Sequence, residues 1–170
     1  MLSVVLASFA LSAWQPEPFK VEGELDARGN SFSGIYDPVA NAFVDTVQVV
    51  FASAVTYEGG LVENRFNGYG VLTGEALTDE GEVSVWRFAG TFVNGRLEGQ
   101  GSYSDHLGSF IGEFSNSLPN GQGVYRSKSG WRYEGEFLAG RMTGTGTLYL
   151  ADGSFSSGVF DDGLQVAAKG

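Results

Sequence analysis

A chain of 170 residues is long enough for a single domain with a real apolar core. Its 26 glycines stand beside 13 Phe and 7 Tyr but only 4 Pro, a mixture that fits neither a flexible linker nor a disordered segment and points to β structure with frequent turns. The formal charge of −10, from 10 Lys+Arg against 20 Asp+Glu, opposes phosphate backbones, so no nucleic-acid partner is expected; the absence of cysteine excludes disulfides and thiolate metal sites.

Residues 1–14 (MLSVVLASFALSAW) carry no charge and are mostly apolar. They fall short of the roughly 20 residues that a membrane span needs. The stretch fits the hydrophobic region of a signal peptide, with small residues around Ala10-Leu11-Ser12 at a cleavage site, although no Lys or Arg precedes it. A membrane-anchor remnant and an element packed in the fold are the alternatives. The expected location is therefore exported or membrane-associated on the extracytoplasmic side, and cytoplasmic if residues 1–14 belong to the fold.

Residues 15–56 form the next region. Gln15 to Phe19 is a Pro-broken spacer. Val21-x-Gly23-x-Leu25, with Gly34 further on, resembles a degenerate copy of the motif described below, and Val47, Val49 and Phe51 alternate as one further strand.

From residue 57 a pattern recurs: aromatic-x-Gly-x-apolar, six residues, then Gly-x-Gly. Tyr57-x-Gly59-x-Leu61 leads to Gly68 and Gly70, and Phe88-x-Gly90-x-Phe92 to Gly99 and Gly101. Phe110-x-Gly112-x-Phe114 leads to Gly121 and Gly123, and Tyr133-x-Gly135-x-Phe137 to Gly144 and Gly146. The leading aromatic and the first paired glycine are always 11 apart. A fifth copy, Ser156-x-Gly158-x-Phe160, ends at Asp161-Asp162-Gly163. The starts at 57, 88, 110, 133 and 156 are 31, 22, 23 and 23 apart, so the first gap holds about eight extra residues, placed between Leu72 and Trp86. Residues 164–170 either close the last sheet edge or fray.

A unit of about 23 residues that opens Tyr133-Glu134-Gly135-Glu136-Phe137 and closes on Gly-x-Gly resembles the MORN repeat. The resemblance covers residues 57–163. It implies one β-hairpin per repeat, stacked edge to edge, and so an all-β chain: an elongated single antiparallel sheet of tandem hairpins, preceded by the short apolar N-terminal segment. No helix is expected after residue 14.

On a strand, residues two apart share a face. Tyr133, Gly135 and Phe137 thus lie together, with Gly144, Gly146 and Leu148 on the returning strand; Leu72, Tyr103 and Tyr125 take the Leu148 position in other repeats. The opposite face reads Glu134, Glu136, Thr145 and Thr147, and Gln100, Ser102, Glu113 and Gln122 in the neighbours. Large rings can lie flat over glycines, so the aromatic face covers itself. Turns are expected at Asn94-Gly95, Ala139-Gly140 and Asp162-Gly163 within hairpins, and at Ser129-Gly130 and Asp152-Gly153 between them.

Catalytic chemistry has little to work with. His106 stands alone in a turn segment beside Ser104 and Asp105, and the acidic pairs Asp79/Glu80 and Asp161/Asp162 lack the ligand spacing of a calcium loop. Glu134 and Glu136 lie on one strand without a facing cleft, and the Gly-x-Gly pairs lack the third glycine and helix of a nucleotide loop. No catalytic, cofactor or metal site is expected, and the chain is not expected to be an enzyme. Two readings of the aromatic row stand: a self-covering core, or a row left partly open as a groove for an apolar segment. In the second reading Phe92, Tyr103, Phe114, Tyr125 and Phe137 line the groove, with Trp86 and Trp131 as further candidates. The expected function is a protein-binding scaffold or accessory subunit whose partner segment docks on this face. The alternatives are a lipid- or membrane-associated module, with membrane contact through residues 1–14, and a surface glycan-binding module.

Overall fold

A computed structural model describes residues 17–168, so the stretch 1–14 and every reading of it lie outside the described residues. Thirteen strands follow in chain order: β1 Phe19–Leu25, β2 Ser31–Asp37, β3 Ala42–Val50, β4 Thr56–Val62, β5 Arg65–Leu77, β6 Val83–Val93 and β7 Arg96–Ser104. Then come β8 Gly108–Ser115, β9 Leu118–Ser127, β10 Arg132–Leu138, β11 Arg141–Tyr149, β12 Phe155–Asp161 and β13 Leu164–Ala168. They form one antiparallel sheet whose spatial order is the sequence order, with no helix among the described residues. At ~4.8 Å per strand the sheet extends about 58 Å across its strands. The tail expected to close the edge or fray closes it as β13.

Each repeat is a hairpin with a two-residue turn in which both residues have positive φ: 63–64, 94–95, 116–117, 139–140 and 162–163. This geometry matches the twist of the flanking strands. Three of the five carry glycine and are visible in the sequence. Glu63-Asn64 and Asn116-Ser117 do not, and Ser117 at φ 65° is steadied by the Leu97 N–H, which donates to its Oγ at 3.0 Å. The turns also bond to one another. The N–H groups of Gly95, Ser117, Gly140 and Gly163 donate to the carbonyls of Phe66, Leu97, Pro119 and Met142 in the preceding hairpins, at 2.8–3.0 Å. The guanidinium of Arg96 reaches Asn116, and that of Arg141 reaches Asp162, in the following turn.

The spacing of 11 has a physical meaning in the register. Gly59 pairs with Gly70, Gly90 with Gly101, Gly112 with Gly123 and Gly135 with Gly146. Just beyond each glycine pair the hairpin register slips, leaving Gly68-Tyr69 and Gly144-Thr145 as bulges on the returning strand. The first paired glycine sits in that bulge at positive φ, from 54° at Gly144 to 115° at Gly121. The second glycine leaves room for a ring. A methyl on Gly70 would stand 2.7 Å from both Cε2 and Cζ of Tyr57, and Phe110 and Tyr133 cover Gly123 and Gly146 in the same way. Tyr57 and Tyr133 are fully buried, and their hydroxyls donate to backbone beside the bulge: Tyr57 to the Gly60 carbonyl at 3.0 Å, Tyr133 to the Thr143 carbonyl at 3.0 Å.

The insertion between the first two repeats lengthens β5 and β6 instead of forming a loop. Gly74 pairs with Trp86 and Leu77 with Val83, and the acidic residues 78–82 form the tip. Upstream, β1 and β2 form the hairpin expected for the degenerate copy, but with a different register: Gly34 faces Val21, not Gly23. This hairpin lacks a glycine pair under an aromatic ring, and it joins the core of the repeats through Phe32.

Gly70→Ala should lower stability by about 1–3 kcal/mol, seen as a reduced urea midpoint at unchanged slope. Ala139→Gly, which relieves a non-glycine at φ 49°, should raise it by about 0.5–1 kcal/mol. An unchanged midpoint in the first variant would contradict the ring-on-glycine packing.

Candidate functional site

The aromatic face sorts the seven candidate rings into two groups. Phe92, Phe114 and Phe137 are 2 %, 3 % and 6 % exposed. Each meets leading rings edge-on: Phe92 with Tyr57 at 5.6 Å, Phe114 with Phe110 at 5.1 Å, and Phe137 with Phe110 at 4.8 Å and Tyr133 at 5.3 Å. The Phe92–Tyr57 and Phe137–Phe110 contacts join one hairpin to the next, while Phe114 meets Phe110 along β8; these three rings are core and line no groove. Edge-to-face pairs of this kind contribute about 0.5–1.5 kcal/mol beyond their buried area.

Trp86, Tyr103, Tyr125 and Trp131 are half-buried, the last three packed against the core. They lie at the end of the sheet where successive repeats connect. Here one repeat departs from the others, because Leu97, not Phe88, covers Gly90 and Gly101. Phe88 is thereby displaced to the surface ridge, 6.0 Å from Trp86 and 4.5 Å from Tyr103. Tyr125 stands against Trp131 at 5.1 Å. Gly108 makes room for the Tyr125 ring, since a methyl there would stand 2.6 Å from its hydroxyl oxygen.

Asp105 organises the turn beneath this ridge. Its carboxylate accepts the Tyr103 hydroxyl at 2.7 Å and the N–H groups of Leu107 and Gly108 at 2.8 and 3.0 Å. Partial burial pushes its pKa up, but the Tyr103 and backbone hydrogen bonds outweigh that and hold it below the usual carboxylate range. Burial, then the bond to Asp105, raises the Tyr103 phenol. His106 is exposed in the same turn and has no hydrogen bond to either Ser104 or Asp105 among the described residues. No group of three or more His, Asp or Glu among the described residues is placed to hold a metal ion.

The second face is open. The register aligns three rows across it, two residues apart along the strands. The central row runs Val71, Ala89, Ser102, Ile111, Val124 over β5 to β9. Toward the repeat connections, Arg87, Arg126 and Arg132 stand in one row; Arg126 lies directly opposite Arg132. Toward the hairpin turns, Gln100 pairs with Glu113 and Gln122 with Glu136. An open depression of about 770 Å³ follows this last row over β7–β12. Glu136 is already engaged, accepting the Thr145 N–H of the bulge at 3.0 Å. Arg132 meets Glu134 at 3.2 Å and lies 4.1 Å over the Tyr149 ring. Sequence reasoning assigned Gln100, Ser102, Glu113, Gln122, Glu134 and Glu136 to a polar face; the arginine row, the central apolar row and the separation of charge emerge only from the register.

An open sheet of stacked hairpins with one self-sealed face defines a single-layer β-repeat protein. The family model described as MORN repeat matches residues 57–75, 88–106, 110–132 and 133–155, and the chain is a MORN-repeat protein. Four hairpins fall within those matches, and the fifth, β12–β13, continues the same pairing beyond them. No curated protein matches the chain. MORN repeats point to a repeat-based binding module.

Tyr57 gives a pH signature of the sealed face. Burial pushes its phenol up to about 12, while the unfolded chain ionises near 10. Its contribution is complete below pH ~10 and is lost as pH rises from there through about 12. Circular dichroism should show alkaline unfolding in that window, and Tyr57→Phe should move the transition to higher pH. A Tyr57→Phe transition at unchanged or lower pH would contradict this assignment.

Proposed function

We propose that this chain is a non-enzymatic protein-binding scaffold or accessory subunit, and that a partner segment docks on the aromatic ridge of Trp86, Tyr103, Tyr125 and Trp131. The supporting observation is that these four rings lie together at the border of the sealed core and keep part of their surface open to solvent, whereas Phe92, Phe114 and Phe137 on the same face are buried. Large rings with few rotors are effective anchors, because they bury much area at little entropic cost. The ridge is rigid, since Gly108 and the Asp105 turn fix the Tyr103 and Tyr125 rings from beneath. The partner is another protein, not nucleic acid, in keeping with a formal charge of −10. The uncharged, apolar sequence of residues 1–14 supports an exported or membrane-associated subunit on the extracytoplasmic side, and a cytoplasmic one if those residues belong to the fold.

Crosslinking and affinity capture from source-cell membranes with the full chain test this reading. Tyr125→Ala/Trp131→Ala should lower affinity for the captured protein by at least about 2 kcal/mol while far-UV circular dichroism is unchanged. Equal capture by both chains would sink the ridge as the docking site. Retention of both on a glycan column or on anionic vesicles, with no protein captured, would move the function to sugar or lipid.

A further inference from the structure

We propose that the second face of the sheet is a separate docking surface, and that its occupant is an amphipathic α-helix of a partner protein with acidic residues along one flank and basic residues along the other. The inference takes from the proposed function only that this sheet carries a protein partner, and it does not use the aromatic ridge.

Nothing among the described residues covers this face, and Ile111 in its central row is 58 % exposed. Val124 beside it is half-buried, so the row offers a shallow apolar strip. The strip lies between rows of opposite charge. Arg87 and Arg126 are exposed on one side, and neither makes an ion pair among the described residues. Glu113 and Glu136 stand on the other side, above the open depression. Directly opposed like charges on neighbouring strands are destabilising. Arg132 has Glu134 and the Tyr149 ring to offset its position, but Arg126 opposite it has no such partner. An acidic side chain brought from outside relieves that pair.

The dimensions select a helix. Rows two residues apart are separated by ~6.7 Å, so the arginine and glutamate rows lie about 13 Å apart, close to the ~10–12 Å diameter of an α-helix. Strands repeat every ~4.8 Å and a helix rises ~5.4 Å per turn, so a helix laid across the strands meets about one strand per turn. An extended peptide in the same direction repeats its side chains every ~6.7 Å and falls out of step at once. From β5 to β9, where Glu134 on β10 ends it, the strip runs about 19 Å, which is ~13 helical residues.

Fluorescence anisotropy with synthetic helical peptides of 18 residues tests the surface. One peptide carries a leucine stripe with Glu on one flank and Lys on the other. A second has the same composition with both charges mixed on each flank, and a third has Lys on both flanks. The full chain should bind the first at least about tenfold more tightly than the second. Arg87→Glu/Arg126→Glu makes both rows acidic and should switch preference to the third peptide, and Ile111→Glu should weaken every peptide. All these positions are exposed, so unchanged circular dichroism is expected to accompany the switch. Tyr125→Ala/Trp131→Ala should leave peptide binding intact, so a failed ridge leaves this result standing; loss of binding there would put the peptide on the ridge and overturn the inference. It is equally overturned if the chain does not discriminate between the first two peptides, or if phosphatidylserine vesicles bind through Arg87 and Arg126 while no peptide does.

Discussion

A ring lying flat on a pair of facing glycines is the contact on which this structure depends. A single-layer sheet has no second layer to cover its apolar face, yet Tyr57, Phe110 and Tyr133 are almost wholly buried. They achieve this because Gly70, Gly123 and Gly146 have no side chain to lift the ring from the backbone. The same ring needs an end point, and in Tyr57 and Tyr133 the hydroxyl supplies it by donating to the Gly60 and Thr143 carbonyls beside the bulge. Phe110 lacks the hydroxyl and keeps the packing, so burial, not the hydrogen bond, is the general term. The edge-on rings at Phe92, Phe137 and Phe160 then bridge successive hairpins, and the bonds between turns hold their outer ends in step. Stability is thus a matter of nearest neighbours, as expected of a repeat array.

Self-sealing decides where binding can occur. It removes most of the aromatic row from solvent and leaves two surfaces: the ridge where repeats connect, and the whole of the opposite face. On the ridge the irregular repeat matters most, because Leu97 takes over the cover of Gly90 and Gly101 and frees Phe88 to stand with Trp86 and Tyr103. On the opposite face no ring is needed for stability, so side chains there are free to be sorted by charge.

Much of the fold was legible before any coordinates. Four copies of one spacing fix the hairpin, its turn and the glycine that must lie under a ring, and the glycine-bearing turns stand where expected. The turns at Glu63-Asn64 and Asn116-Ser117 were not legible, because positive φ is borne there by residues that do not announce it. Nor was the fate of the groove residues. Period-two alternation places Phe92 and Tyr103 on one face, but whether a ring is sealed depends on the rings of the neighbouring hairpin, and those contacts are set by bulge and twist. Gly34 misled for a related reason: its spacing resembles the repeat, while its partner across the strand is Val21. The opposition of arginine and glutamate rows required the full register of six strands.

The most direct measurement of the central claim is a double-mutant cycle on Tyr133 and Gly146, where the three atoms nearest an added methyl all belong to the Tyr133 side chain. Urea unfolding would be followed for Gly146→Ala, Tyr133→Val and the pair. If the ring rests on the glycine, the methyl is costly only while the ring is present, and the pair should be less destabilised than the sum by at least about 1 kcal/mol. Additive effects would show that ring and glycine do not meet, and would contradict the account of how this sheet closes its own face.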